Sequence, residues 1–78
     1  NGAIARGEYS TASGFNAAAI GDDSVAVGDS SDAEGAGSVA IGATAIATAD
    51  NAVALGAGSV ADRANTVSRS RSQIASSK

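Results

Sequence analysis

The amino-acid sequence predicts an all-β repeat fold, in which coils of fourteen residues, each with two short strands, stack along one axis. The first observation is a glycine at every seventh position from Gly7 to Gly42, with Ala49 at the next position and Gly56 after it. The second is an alanine two residues before every one of these positions, from Ala5 to Ala54. The third is an alternation of larger and smaller side chains within each unit, which is typical of strands.

A period of seven also occurs in coiled coils, and the spacing of the apolar residues tests this alternative. Coiled coils repeat apolar residues at spacings of three and four, whereas the unit Ser38-Val39-Ala40-Ile41-Gly42 repeats its larger residues at a spacing of two. A glycine in each heptad would also cost a helix about 1 kcal/mol relative to alanine. We therefore expect strands of about five residues, each followed by a two-residue turn.

The turns and the two kinds of strand follow from the same pattern. The expected turn pairs consist mostly of residues that form Asx hydrogen bonds or tolerate positive φ, namely Asp22-Asp23, Asp29-Ser30, Ala36-Gly37, Asp50-Asn51 and Ala57-Gly58. Alternate strands differ in their outward residues, because one set is apolar and the other is mixed and partly charged. Two strands therefore make one coil, and the coil repeats every fourteen residues.

The remaining strand positions carry small residues, and we expect their side chains to point into the coil. Only alanine, serine and glycine fit a roll whose two sheets lie closer than the ~10 Å that is usual for packed sheets. The predicted interior residues are Ala12, Ala19, Ala26, Ala33, Ala40, Ala47 and Ala54.

The larger aliphatic side chains must then point out of the roll. A contiguous apolar stripe would be an aggregation hazard on a monomer, so we interpret it as a subunit interface, formed by Val25, Val27, Val39, Ile41, Val53 and Leu55. The alternative is the inner face of a wider single-chain solenoid, in which the ladder of small residues would face solvent. The outward residues of the other strands are the candidate ligand-facing surface: Arg6, Ile20, Asp32, Glu34 and Thr48, with Ile4, Ala18 and Ile46 beside them.

Composition limits the classes of function. The chain has 78 residues and 20 alanines, so few large side chains remain to offset backbone ordering of ~1–2 kcal/mol per residue, and we expect oligomerisation. It has no Cys and no His, which excludes disulfides and the usual transition-metal ligands. A net charge of −3 lacks the basic footprint of a nucleic-acid binder. No apolar run approaches the ~20 residues that span a bilayer.

The same residues argue against an enzyme, a cofactor or a metal site. A nucleophilic serine needs a neighbouring base, and a carboxylate pair needs a pocket that shifts its pKa. A narrow roll filled with alanine has no such cavity. Hard cations favour carboxylates, but the repeat of calcium-binding rolls is absent, so we interpret the acidic residues as solvated surface charge. The ladder of an ice-binding solenoid is also missing, because the threonines Thr11, Thr44, Thr48 and Thr66 occupy different heptad positions.

Two motifs carry a family resemblance. The units Gly37-Ser-Val-Ala-Ile-Gly42, Ser24-Val-Ala-Val-Gly28 and Asn51-Ala-Val-Ala-Leu-Gly56 resemble the Asn-Ser-Val-Ala-Ile-Gly head repeats of trimeric autotransporter adhesins, the YadA-like heads. Residues 55–68, Leu-Gly-Ala-Gly-Ser-Val-Ala-Asp-Arg-Ala-Asn-Thr-Val-Ser, resemble the neck motif of the same family. The resemblance covers about residues 1–68 and implies a left-handed parallel β-roll that assembles as a homotrimer.

The resemblance also implies a division of the chain. Residues 1–58 would form head repeats, and residues 59–68 would form a neck in which each subunit crosses to its neighbour. The matching neck residues Asp62, Arg63 and Asn65 are expected to contact other chains. For Asp62 and Arg63 the alternative is a solvated surface pair, worth at most ~1 kcal/mol. Residues 69–78 depart from the family pattern and are expected to be a neck continuation, the start of a stalk or a tail.

The function implied by the resemblance is that of a non-enzymatic adhesin head, exposed on the bacterial cell surface beyond the outer membrane. Its partners would be its own copies and, through multivalent binding, extracellular matrix proteins or cell-surface receptors of a host. The alternative is a structural spacer that displays other binding domains on a stalk. We expect the sequence to be a fragment, with any membrane anchor only in parts outside it.

Overall fold

A computed structural model describes residues 2–69, which form ten short strands in two parallel sheets. The strands are β1 (Ile4–Ala5), β2 (Thr11–Ser13), β3 (Ala18–Ala19), β4 (Val25–Val27), β5 (Asp32–Ala33), β6 (Val39–Ile41), β7 (Ile46–Ala47), β8 (Val53–Leu55), β9 (Val60–Ala61) and β10 (Val67–Arg69). The short-strand sheet has the order β1-β3-β5-β7-β9, and the long-strand sheet has the order β2-β4-β6-β8-β10.

Each strand pairs in parallel with the strand that lies fourteen residues away along the chain. In the short-strand sheet Ile4 pairs with Ala18, and in the long-strand sheet Val25 pairs with Val39. The chain therefore winds as a solenoid in which every coil crosses both sheets once. The predicted fold class is confirmed: residues 2–69 form an all-β parallel solenoid with coils of fourteen residues and contain no helix.

Corners of four residues join the strands, and they make the strands shorter than the five residues predicted. In the corner from Gly21 to Ser24, the Ser24 N–H donates to the Gly21 carbonyl at 3.2 Å, and Asp23 has a φ of 59°. This left-handed conformation recurs at the second turn residue of the other corners, and all five predicted turn pairs lie in turns. Because the two corners and the residue that follows each short strand use nine residues of each coil, only two or three residues are left for each strand.

The interior of the roll holds side chains no larger than serine. Six of the seven predicted interior alanines are completely buried, and Ala12 on the edge strand β2 is partly buried. Ser24, Ser31, Ser38 and Ser59 are also buried between the sheets. The thinnest dimension of the chain is 13 Å, so the two sheets meet through single methyl and hydroxymethyl groups.

Gly28 illustrates why glycine follows the long strands. Its φ of +124° is a conformation that residues with a side chain rarely adopt, and a Cβ atom there would lie 2.7 Å from the carbonyl carbon of Gly42 in the next coil. Glycine at this corner therefore allows successive coils to approach to the ~4.8 Å spacing of paired strands.

We expect Gly28→Ala to lower the free energy of unfolding by about 3 kcal/mol or more, because backbone strain and overpacking each cost roughly 1–3 kcal/mol. Gly58→Ala is the matched control, since Gly58 also has a positive φ of +74° but a Cβ atom there would have no neighbour within 4 Å. We expect this control to lose only about 1 kcal/mol. Urea denaturation followed by circular dichroism measures both, and equal losses would contradict the stacking explanation.

The buried serines differ in hydrogen bonding. Ser24, Ser31 and Ser59 each donate a hydrogen bond from the hydroxyl group to the glycine carbonyl three residues earlier, at 2.6–2.9 Å. The Ser38 hydroxyl is buried and has no hydrogen-bond partner. The equivalent position one coil later is Ala52, which is completely buried, so a methyl group fits there.

Ser38→Ala is therefore expected to raise the free energy of unfolding by about 1 kcal/mol, because it removes a buried hydroxyl group without a partner. Ser24→Ala, which removes a satisfied hydrogen bond, is expected to lower it by about the same amount. The midpoints of urea denaturation compare the two variants. A loss of stability in Ser38→Ala would mean that the hydroxyl group of Ser38 is satisfied in the folded protein.

Candidate functional site

The outward side chains of the long-strand sheet form a continuous surface, which we call the apolar face. Strand pairing stacks them in two columns: Val25, Val39 and Val53 in one, and Val27, Ile41 and Leu55 in the other. Five of the six are half-buried, because they shield one another, and Ile41 is 40% exposed. Thr11 and Ser13 end the face on one side and Val67 and Arg69 on the other. The apolar face therefore spans three central coils.

The outward residues of the short-strand sheet and of the positions after its strands form a second surface, the mixed face. Its two columns are Ile4, Ala18, Asp32, Ile46 and Val60, and Arg6, Ile20, Glu34, Thr48 and Asp62. All five predicted ligand-facing residues lie here; Asp32 is half-buried and the other four are exposed. The centre of this surface is thus a pair of carboxyl groups with aliphatic side chains on both sides.

Asp32 is partly removed from water by its neighbours on the mixed face. Its position lies between Ala18 and Ile46 on the adjacent strands, and its Oδ1 atom is buried without a hydrogen-bond partner. Desolvation by burial raises the pKa of Asp32, and the charge of Glu34 and a side-chain hydrogen bond with Glu34 raise it further. The fold therefore favours the neutral form of this carboxyl group.

The residues predicted for the neck lie in and around the last corner of the roll. Asp62, Arg63 and Asn65 are exposed between β9 and β10. These strands pair with β7 and β8 in the register of the earlier coils, so residues 59–68 continue the roll within one chain. At this open end, Asp62 and Arg63 help to line a cleft of about 540 Å³.

Two parts of the neck prediction concern other chains or residues outside 2–69. Contacts of Asp62, Arg63 and Asn65 with other chains stay a prediction. Of the segment 69–78, Arg69 ends strand β10, and residues 70–78 lie outside the described residues.

The glycine period is interrupted at Ala49, where the next coil carries a methyl group in place of a hydrogen atom. At the equivalent Gly35, an added Cβ atom would overlap the carbonyl group of Ala49 in the next coil. Ala49 itself carries this methyl group, and two of the hydrogen bonds to the following coil are longer than their equivalents one coil earlier. The Thr48 N–H lies 3.0 Å from the Ala61 carbonyl and the Asn65 N–H lies 3.1 Å from the Asp50 carbonyl, against 2.8 Å for the corresponding bonds one coil earlier.

Sequence reasoning missed two exposed aromatic residues. Tyr9 is 87% exposed and Phe15 is 60% exposed, and both lie in turns of the first coil. The available signal was their position, since an aromatic residue at a predicted turn cannot enter the narrow interior. The exposed Val60 and Val67, at 51% and 67%, were also not assigned to a surface.

The described residues form two outward surfaces, the apolar face and the mixed face. Within residues 2–69 there is no group of three or more His, Cys, Asp or Glu side chains that could hold a metal ion. The same part of the chain contains no helix that is both long and apolar enough to cross a membrane. What the arrangement offers chemically is apolar contact on one face, and charge with aliphatic contact on the other.

Comparison with protein families gives a match over most of the chain. The model of the YadA head domain repeat matches overlapping segments, which are residues 1–17, 5–31, 19–45, 33–59 and 47–67. Together they span residues 1–67 of the 78, and the last one includes most of the segment predicted as a neck. A comparison with curated proteins finds no match.

Asp32→Asn removes a carboxyl group whose charged form the fold disfavours. Because the folded-state pKa of Asp32 lies above the ordinary value of 3.8, its stabilising contribution is present at pH values below that ordinary value. That contribution is lost as the pH rises through the folded-state pKa. We therefore expect Asp32→Asn to be more stable than the wild type at pH 7, with the difference closing below about pH 4.

Urea denaturation at a series of pH values measures this difference. Asp29→Asn is the control for loss of one negative charge, because Asp29 is an exposed turn residue with the same side chain. The same gain and the same pH dependence in both variants would show that net charge, rather than burial beside Ala18 and Ile46, is the cause.

Proposed function

The chain belongs to the YadA head domain repeat family, and from this premise we propose that it is a head module that attaches bacteria to host cells or extracellular matrix as a homotrimer. The family is one of adhesins whose heads generally form homotrimers and are exposed on the cell surface. For this chain we place the module beyond the outer membrane, without an enzymatic activity. The membrane anchor would be provided by other parts of the protein.

The apolar face is the observation that carries the proposal. On a single chain its six valine, isoleucine and leucine side chains have neighbours only within the same sheet, and Ile41 stays 40% exposed. Large exposed apolar patches mark interaction sites in soluble proteins. We propose that Val25, Val27, Val39, Ile41, Val53 and Leu55 meet the same residues of two other copies around a threefold axis.

With the apolar face turned inward, the mixed face is turned outward on all three copies. Arg6, Ile20, Asp32, Glu34 and Thr48 are the proposed ligand-facing residues. One flat face offers few contacts, but three linked copies bind with much greater avidity than one, provided that the ligand can engage them together. Repeated fibrous ligands of the extracellular matrix meet this requirement.

A neck at residues 59–68 is part of the same proposal. Asp62, Arg63 and Asn65 are exposed in the last corner, where chains of a trimer could exchange contacts.

The alternative function is a structural spacer that holds other binding domains away from the cell surface. The uniform stack of parallel strands favours it, because a regular repeat makes a stiff rod of constant cross-section. Both functions require the trimer, and they differ in whether the mixed face binds a ligand.

We expect Val39→Asp to dissociate the trimer, because the substitution places a charge at the centre of the apolar face. Light scattering should give three times the chain mass for the wild type and the mass of one chain for the variant. Asp32→Ala on the mixed face is the control and should leave the trimer intact. A wild-type mass of a single folded chain would overturn the interface.

Binding to surfaces coated with collagen, fibronectin or laminin then separates the two functions. The adhesin proposal predicts saturable binding by the wild type and a loss of about a hundredfold or more in apparent affinity for Val39→Asp. A wild-type trimer that binds none of the three supports the spacer.

A further inference from the structure

Two exposed aromatic residues lie at opposite edges of the same coil. Tyr9 lies in the corner that leads from β1 to β2, and Phe15 lies in the corner that leads from β2 to β3. We call the first set of corners, from short to long strands, the leading edge, and the second set, from long to short strands, the trailing edge. Strand β2 separates the two aromatic residues, so they cannot form one surface on a single chain.

Turn formation does not account for these two aromatic residues. Tyr9 has a φ of 60°, a left-handed conformation that is unfavourable for a bulky residue. The equivalent positions along the leading edge carry residues that suit it, namely Asp23, Gly37, Asn51 and Asn65. At the trailing edge the residues equivalent to Phe15 are Asp29, Ala43 and Ala57. The first coil therefore exposes apolar area at both edges where the later coils carry small or polar residues.

The geometry of a closed ring brings these edges together. The apolar face runs along the stacking direction over three coils, so three copies can bury it together only if their threefold axis is parallel to that direction. Rotation about this axis leaves each coil at its own height. The contact is heterologous, because each copy presents its leading edge to one neighbour and its trailing edge to the other.

We propose that Tyr9 of one copy packs against Phe15 of the neighbouring copy, so that an aromatic pair closes each of the three seams at the level of the first coil. This inference rests on the proposed homotrimer. The partner is a second copy of this chain, and the contact combines burial of apolar area with the favourable geometry of aromatic pairs.

The second and third coils carry no aromatic residue along the same seam. In the second coil, Asp22 and Asp23 on the leading edge would face Asp29 on the trailing edge, and like charges at short distance repel. In the third coil, Ala36 and Gly37 would face Ala43 and Thr44, which offer little contact area. The aromatic pair is thus the seam contact that offsets the acidic coil beside it.

Disulfide trapping tests the pair directly, because the chain contains no cysteine of its own. In the double variant Tyr9→Cys/Phe15→Cys, mild oxidation should link each chain to both neighbours and give covalent trimers on a non-reducing gel. The control Tyr9→Cys/Ala43→Cys places the second cysteine on the same edge but two coils away, about 10 Å along the axis. This separation exceeds the reach of a disulfide, so the control should stay uncrosslinked.

A mixture of the two single variants, Tyr9→Cys and Phe15→Cys, refolded together, provides a second measurement. It should give covalent dimers, whereas either variant alone should give none. Light scattering before oxidation tests the trimer separately from the aromatic seam. A mass of one chain overturns the trimer, whereas a trimer in which neither the double variant nor the mixture crosslinks overturns the aromatic seam and leaves the proposed function standing. Equal crosslinking of the Tyr9→Cys/Ala43→Cys control would also overturn it.

Discussion

The narrow interior is the constraint on which the rest of this molecule depends. Where two sheets meet through alanine and serine, each buried side chain contributes little apolar area, and the hydrophobic gain scales with that area at roughly 25 cal/mol per Å². Ordering the backbone costs ~1–2 kcal/mol for each residue whatever its size. The interior alone therefore cannot stabilise the chain. Hydrogen-bond ladders within the chain add to it, and the proposed coverage of the apolar face by other copies would add more.

Close stacking also decides where the sequence is free to vary. Interior positions hold only small side chains, because the two sheets lie close together. Outward and turn positions carry no such restriction, since Tyr9, Asp23 and Gly37 occupy equivalent places in successive coils. The larger side chains are consequently found on the two faces and the two edges.

Much of the fold was predictable because one coil determines the others. The period gave the pairing register, and the alternation within it separated interior from outward residues. Strand length was not predictable, since it depends on how many residues each corner uses, a property of backbone conformation at residues such as Gly28. The partial burial of Asp32 depends on Ala18 and Ile46 in the coils on either side, and the periodic pattern does not encode it. The boundary after residue 58 that the neck resemblance implies stays a prediction, and within one chain β9 and β10 pair in register with the coil before them.

The surroundings of Asp32 give a physical reason to prefer the proposed adhesin function over the structural spacer. Both functions need the same interior, the same corners and the same apolar face, so those features cannot distinguish them. At the position of Asp32 the neighbouring coils carry Ala18 and Ile46, so the fold accepts an uncharged side chain at the equivalent places. A carboxyl group there is partly desolvated, and Glu34 beside it raises its pKa further, so its charged form is less favourable than that of a carboxyl group in water. The fold does not need a carboxyl group at this position, and its desolvation lowers stability. Such a residue is expected where it contacts a partner.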